Sequence, residues 1–293
     1  MDNKYIAGIV IALIALIAIG AFAMNGGFSE KQVLRISTTT SLEDTGLLND
    51  VEAAFEKKYP NIDVQIVSAG TGIALEYAKK GDADLVIVHD KKRETAFIDE
   101  GYGTKRYPFA YNYFYIVGPP NDPAKIKGMT NATQAFEAIM KAGENNSAFF
   151  VSRGDNSGTN SREIKIWNKT GANYNATING SSWYIETGKG MGDTLTIANE
   201  KQAYTLSDSG TFLAFKGNIT LVPYLTKGKD LLNVYSAIPV NPNKIEGVNS
   251  DAAMKFVEFL LSQEGQQMIG DYGQDKYGQS LFTPLFGKAE PTS

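Results

Sequence analysis

The chain has 293 residues, with 28 basic and 32 acidic side chains for a net charge of −4, and no cysteine. That length supplies one large domain or two medium ones. The mild acidity argues against nucleic acid as a partner, which would call for a basic stripe. The missing cysteine excludes disulfides, thiolate zinc sites, cysteine nucleophiles and a lipid-modified N-terminal cysteine.

Residues 5–24, YIAGIVIALIALIAIGAFAM, carry no charge and follow Lys4. About 20 apolar residues can span a bilayer, so one reading is an N-terminal apolar helix that anchors the chain in a membrane. The small-x-small run Ala21-Phe22-Ala23 fits the other reading, a cleaved export signal. Either makes residues 1–30 a targeting segment and places the rest outside the cytoplasm. Six N-x-S/T sequons, at Asn131, Asn145, Asn168, Asn175, Asn179 and Asn218, agree with export and with a glycoprotein. Five of them fall between 131 and 181, which marks one solvated region.

After a short Gly-containing linker, VLRIS reads as a strand. TGLLNDVEAAFEKKY then places Leu47, Leu48, Val51, Phe55 and Tyr59 on one helical face. IDVQIVS returns as a strand and TGIALEYAKKG as a helix closed by Gly81. ADLVIVH is a continuous apolar run of the kind buried on both faces of a parallel sheet. This rhythm predicts an α/β domain with right-handed crossovers. YPFAYNYFYIVGPPNDP is a long aromatic strand that crosses into a second lobe at a Pro-rich break. There TQAFEAIMKAG, AFFVS, SGTNSREIKIWNKTG, MGDTLTIANEKQ and AYTLS repeat the alternation. NVYSAIPVNP, residues 233–242, is the expected return crossing. NSDAAMKFVEFLLS, capped by Asn249 or Ser250, and EGQQMIGDYG supply terminal helices. Residues 31–117 and 236–293 thus form lobe 1, and 118–235 form lobe 2, with a cleft between them.

The corners after the strands are chemically uniform. IS-TTTS, VS-AGTG, VS-RGDNSGT and TL-SDSGT each put Ser, Thr and Gly where a strand ends and a helix begins. Ligands of open α/β sheets bind at the carboxyl ends of the strands. Helix N-termini there offer unpaired N–H groups and a partial positive charge. Gly70, Gly72 and Gly158 would let backbone approach a ligand. Helix capping alone explains any single corner; four corners in both lobes, with the fixed charge of Arg153 at one of them, point to an anion. A dianion with four equivalent oxygens accepts on the order of eight hydrogen bonds. Amides and hydroxyls can satisfy them with little added charge, and one arginine offsets part of the dianion.

TTTSLEDTGLL (38–48), AGTGIALEYAKKGDADLVIVHD (69–90), EGYGTKRYPFAYNYFYIVGPPNDP (100–123), FFVSRGDNSGTNSRE (149–163), WYIETGKGMGDTL (183–195) and AYTLSDSGTFLAF (203–215) resemble the tungstate-binding components, Tup type, of ABC uptake systems. The resemblance spans most of residues 33–240. It implies a two-lobed periplasmic-binding-protein-like fold of type II with two crossing strands, closing on tungstate or molybdate for a permease and its ATPase. It implies Thr39, Thr40, Thr71, Arg153, Thr159 and the backbone at Gly192 as ligand contacts, with Gly70, Ser152 and Ser157 beside them. Two positions depart from the family: Asn160 stands where His is frequent after SGT, and Ser209 where a basic residue is frequent.

Rival readings remain. Crowded hydroxyls could serve an extracellular hydrolase, but the only histidine is His89, which reads as structural at a strand end. No G-x-S-x-G elbow, Walker A loop or G-x-G-x-x-G is present, so no enzyme and no cofactor is expected, nor a metal held by side chains. A phosphate- or sulfate-type receptor is the nearer rival. Phosphate carries a proton and would favour a carboxylate acceptor, for which Asp44, Asp155 and Asp208 are candidates; capping helices or orienting Arg153 is the preferred role for these. The expected product is a monomeric receptor whose partners are an oxyanion, a permease and an ATPase.

Overall fold

The computed structural model describes residues 31–285 and 287–291, so the apolar stretch expected to form a leader helix lies outside the described residues. Among the described residues no helix is long and apolar enough to cross a membrane.

Strand β1 (Gln32–Thr39) leads through the short α1 (Thr40–Glu43) into α2 (Leu47–Lys58). Then come β2 (Ile62–Ala69), α3 (Thr71–Lys80), β3 (Leu85–Val88), α4 (Lys91–Asp99) and the long β4 (Tyr107–Gly118). The chain continues through α5 (Ala132–Glu144), β5 (Phe150–Ser152), α6 (Gly158–Lys169), a π-helical turn at Tyr174–Ile178, β6 (Tyr184–Glu186) and α7 (Met191–Glu200). β7 (Thr205–Asp208), α8 (Ser209–Phe215) and β8 (Val222–Leu225) come next. A 3₁₀ turn at Lys229–Leu231 opens β9 (Leu232–Pro239). The chain then closes with α9 (Ser250–Leu261), α10 (Gln263–Asp271), α11 (Gln274–Tyr277) and β10 (Thr283–Pro284).

Two sheets share one strand. In the first the order is β2-β1-β3-β9-β4-β10, with β1 parallel to β2 and β3, and β9 antiparallel to both β3 and β4. β4 pairs with β9 through Tyr113, and from Phe114 onward its partners are β7 on one side and β8 on the other. β5 joins β7 through Val151 N–H to Tyr204 O and Tyr204 N–H to Phe149 O, and lies parallel to β6. The second sheet therefore reads β7-β4-β8, with the two-stranded β5-β6 pair linked to it by a single bridge between Phe150 and Tyr204, the residue before β7. The return path runs between β8 and β9, and the first residue of β9, Leu232, already pairs with Tyr113. Tyr113–Phe114 on β4 and the segment entering β9 lie side by side at the hinge. There Asn233 Nδ2 donates to Asn112 Oδ1 at 2.9 Å, a buried amide pair between the two strands.

The packing reflects the sequence pattern. All four residues of β3 are buried, as a central strand with both faces covered requires. α3 ends where Gly81 takes a left-handed backbone (φ 84°), a conformation that costs glycine nothing. α9 starts at Asn249, whose side chain accepts from Ala252 N–H. In lobe 1 Leu34, Ile36, Val51, Phe55 and Phe256 fill one face of the sheet, while Ala74, Val86, Val88 and Phe97 fill the other. In lobe 2 Phe114, Phe136, Phe150 and Trp167 form an aromatic centre. Side chains of this size contribute about 1.5–3 kcal/mol each when buried. The six sequon asparagines are all exposed and all lie in lobe 2.

Two strands run further than their apolar cores suggest. β1 continues past Ser37 to Thr39, in register with Ser68 and Ala69 of β2, and β7 reaches Asp208. β-branched threonines suit the pleated edge, and Thr38 secures it by donating to Ile87 O at 2.9 Å.

Candidate functional site

Parallel strands finish on the same side of their sheet, so the helices after them all begin there. In lobe 1 these corners are Thr39–Thr40 and Gly70–Thr71. In lobe 2 they are Arg153–Thr159, Gly190–Gly192 and Asp208–Ser209. The lobes are shut, and the corners meet: Arg153 Nη2 donates to Thr40 Oγ1 at 2.9 Å across a sequence separation of 113 residues. Arg153 is 2 % exposed.

The glycines at these corners serve the opposite lobe. A Cβ on Gly158 would lie 2.7 Å from His89 Cε1 and 3.2 Å from Thr71 Oγ1. One on Gly70 would lie 3.3 Å from Asp155 O, and one on Gly72 would lie 3.1 Å from Asn156 Nδ2. Gly210 faces Thr45 in the same way, at 2.7 Å. Besides any approach of backbone to a ligand, Gly70, Gly72 and Gly158 therefore make room for closure. Gly192 differs, since its missing Cβ accommodates the Phe215 ring at 2.6 Å within lobe 2.

Donors without partners gather between the lobes. Thr71 and Thr159, one on each side, are buried, and neither Oγ1 has a hydrogen-bond partner. A buried polar atom left unpaired costs about 1–3 kcal/mol, so two facing hydroxyls of this kind mark a place for an acceptor. The N-caps of α3 and α7, Gly70 and Gly190, supply no side-chain cap, which leaves first-turn N–H groups free. Thr39 caps α1 by accepting from Leu42 N–H at 3.4 Å, and Ser157 caps α6 by accepting from Asn160 N–H at 3.2 Å. Both hydroxyls keep their own proton for donation.

Arg153 is aimed by its own loop. Its Nε and Nη2 donate to Asp155 Oδ2 at 3.1 and 2.5 Å, while Asp155 Oδ1 accepts from Ser157 N–H at 3.2 Å. No hydrogen bond to a described residue uses Nη1. Asp155 therefore has both oxygens engaged, and so does Asp208, which accepts from Thr211 N–H and Oγ1 at 2.8 and 2.7 Å. Asp44 is exposed at the end of α1. Its carboxylate, unlike the other two, accepts no hydrogen bond from a described residue. Partial burial and the nearby Asp208 raise it to about 6 against the pull of Arg153, so it stands within electrostatic reach of the site.

Ser152 does not join them. It donates to Glu163 Oε2 at 2.7 Å and accepts from Gly154 N–H and Asn160 Nδ2, so it has no proton left for an anion. The strand continues through Ser152 and turns its side chain into lobe 2, behind the Arg153 loop. Asn160 has the same orientation: its Oδ1 holds Asn156 N–H at 3.2 Å. This departure from the Tup pattern thus falls on the loop's support. Ser209 begins α8 and is buried.

Glu163 was not foreseen as part of this support. It accepts from Ser152, from Tyr184 OH at 2.6 Å and from Trp167 Nε1 at 3.1 Å. The available signal was a carboxylate on the inward face of α6, four residues from Thr159 and from Trp167. Burial raises this carboxyl from 4.5 to about 7, against the lowering effect of its three donors. Folded protein then holds a proton that the unfolded chain releases near pH 4.5, so stability falls as pH rises from 4.5 to 7. Glu163→Gln has no such proton. The melting temperature of the wild type should drop relative to the variant between pH 5 and 8, by up to about 3 kcal/mol of stability. A pH-independent difference between the two would contradict this.

Ser41 and His89 form a hydroxyl–imidazole pair at 3.2 Å. Burial lowers His89 to about 4, so the ring is neutral. Its Nδ1 has no partner and no carboxylate orients it, which leaves the pair without the third group that nucleophilic catalysis uses. Among the described residues no group of three His, Asp or Glu side chains could hold a metal ion.

Residues 28–264 match the PBP superfamily domain family. The tungstate-binding protein TupA of Peptoclostridium acidaminophilum is 42% identical over 253 residues, covering 86% of this chain and 86% of that protein. The solved tungstate-binding protein TupA from Desulfovibrio alaskensis is 40% identical with a TM-score of 0.73, over 86% of this chain and 98% of its own. The tungstate ABC transporter structure from Geobacter sulfurreducens is 42% identical with a TM-score of 0.71, over 82% and 98%.

Proposed function

Since the chain belongs to the PBP superfamily and, within it, to the family of TupA tungstate-binding proteins, we propose that it is an extracytoplasmic receptor capturing tungstate for an ABC importer. The observation that carries this reading is the pair of buried, unpartnered hydroxyls of Thr71 and Thr159 on opposite lobes beside Arg153. A tetrahedral dianion between them would take Thr71 and Thr159 Oγ1–H, Thr39, Thr40 and Ser157 hydroxyls, amides near Gly70 and Gly192, and the guanidinium. Ser152 is withdrawn from that set and assigned to the loop beneath it.

Two of the three candidate carboxylates favour tungstate over phosphate. Asp44→Asn is the variant that tests the third, since an unchanged preference for tungstate would remove Asp44 as a phosphate acceptor. Protonated phosphate profits from an acceptor in contact with it, and Asp155 and Asp208 already use both oxygens on N–H and O–H donors of their own loops. Tungstate and molybdate are unprotonated and need donors only. The chain acts without a cofactor and as a binder rather than an enzyme, handing its ion to a permease and ATPase. The moving bodies are residues 31–113 with 232–291, and residues 114–231. β4 leaves the first sheet after Tyr113 and β9 re-enters it at Leu232, a few residues before the bounds of 117 and 236 expected from the sequence.

Calorimetry on residues 31–293 with tungstate, molybdate, sulfate and phosphate tests this. Tungstate should bind more tightly than sulfate or phosphate; a phosphate affinity above that of tungstate would reverse the choice. Ligand should also raise the melting temperature. At 100-fold excess over Kd the gain is about 2.7 kcal/mol, on the order of 5 °C for a chain of this size. No shift with saturating tungstate would count against the reading.

A further inference from the structure

The lobes also touch at a place that no ligand would reach. Asn156 lies in the loop between Arg153 and α6 with a left-handed backbone (φ 59°), which asparagine tolerates better than most residues. Its N–H is held from behind by Asn160. Its carbonyl and side-chain oxygen face lobe 1, where Arg93 of α4 meets both: Nη1 donates to Asn156 O at 2.6 Å, and Nη2 donates to Asn156 Oδ1. The guanidinium fork and the two oxygens of one asparagine make a bidentate match. Arg93 Nε sits 3.5 Å from Asp90 Oδ2, and Asp90 Oδ1 is 3.4 Å from Lys165 Nζ on α6. A second strand of polar contact therefore returns to lobe 2. Gly72 leaves the space in which Arg93 and Asn156 meet, since a Cβ there would lie 3.1 Å from Asn156 Nδ2 and 3.5 Å from Arg93 Nη1.

We infer that Arg93 is a positioning residue that sets how long the oxyanion stays bound, although it does not touch the ion. Asn156 is three residues after Arg153 and one before Ser157, so clamping it fixes a loop whose two ends carry ligand donors. The clamp joins opposite lobes, so it exists only when they are shut. Such a contact stabilises the closed, loaded state and leaves the open state alone, and its loss appears in dissociation. An arginine acting by long-range attraction would instead alter association, in a salt-dependent way.

This inference rests on the receptor reading, and one experiment separates the two. Association and dissociation rates for tungstate would be measured by stopped flow on the wild type, Arg93→Ala, Arg93→Lys and Asn156→Gly. Loss of a charge-assisted contact that is partly exposed should raise koff by about tenfold in Arg93→Ala, with kon within about twofold of the wild type. Arg93→Lys should recover part of the loss, because one ammonium cannot span both oxygens as the fork does. Asn156→Gly keeps the left-handed backbone and the carbonyl and should raise koff by less than Arg93→Ala. The ligand-free melting temperature of Asn156→Gly should match the wild type, whereas Arg93→Ala also loses its Asp90 pair inside lobe 1 and should melt slightly lower without ligand. An unchanged koff in Arg93→Ala, or a fall in kon with koff unaltered, overturns the clamp and leaves the receptor reading intact. A wild type that binds no tungstate overturns both.

Discussion

Arg153→Ala is expected to lower tungstate affinity by at least about 100-fold while the ligand-free melting temperature stays close to the wild type. Hydrogen bonds from a charged donor contribute about 1.5–3 kcal/mol each, and a guanidinium at this corner offers at least two to a dianion. Truncation also strips Asp155 Oδ2 of its guanidinium partner and leaves an uncompensated negative charge in the same loop, which adds repulsion to the lost attraction. The fold should not suffer. The side chain's partners are Asp155 in its own loop and Thr40 across the cleft, and neither holds a hydrophobic core together. Arg153→Lys should fall between, since it restores the charge without the planar fork. Calorimetry and thermal melts on both variants check the split, and wild-type affinity in the alanine variant would remove Arg153 from the site.

Gly158→Ala should give two effects of opposite sign. The new Cβ would stand 2.7 Å from His89 Cε1 and 2.9 Å from Nδ1, and both belong to a buried ring packed 4.9 Å from Tyr235. That ring has no room to retreat, so the lobes cannot shut fully. The closed pocket is then lost, and tungstate affinity should fall by about 10- to 100-fold. In the open protein the same residue is the first position of α6, where alanine is preferred over glycine by up to about 1 kcal/mol. The ligand-free melting temperature should therefore hold or rise. Small-angle scattering supplies the geometric readout: the wild type compacts on adding tungstate and the variant does not. Full compaction with unchanged affinity in Gly158→Ala would show that closure tolerates the methyl group.

Much of this was legible in the chain because the signals were local. The apolar run ending at His89, the Gly81 cap and the Asn249 cap depend only on neighbours within a turn, and each is where periodicity and capping chemistry put it. Arg153 at a strand end before a helix was equally local. The hidden features were long-range. Nothing near Gly70, Gly72 or Gly158 in sequence says that the facing surface is another lobe, so ligand access was the available explanation for small residues. Ser152 and Thr38 looked like free hydroxyls because the strands that turn them inward outlast their apolar residues. Glu163 escaped notice since a glutamate on a helix is ordinarily solvated, and only the convergence of Ser152, Tyr184 and Trp167 buries it.

The near-complete enclosure of Arg153 has a physiological corollary. An ion sealed this way has no exit path while the halves are together, so handover at the membrane becomes a mechanical task. Release therefore waits on the lobes parting, and a partner that binds the open form better than the closed one would speed it. A chain locked shut would turn from supplier into scavenger, hoarding the metal and occupying the importer without feeding it.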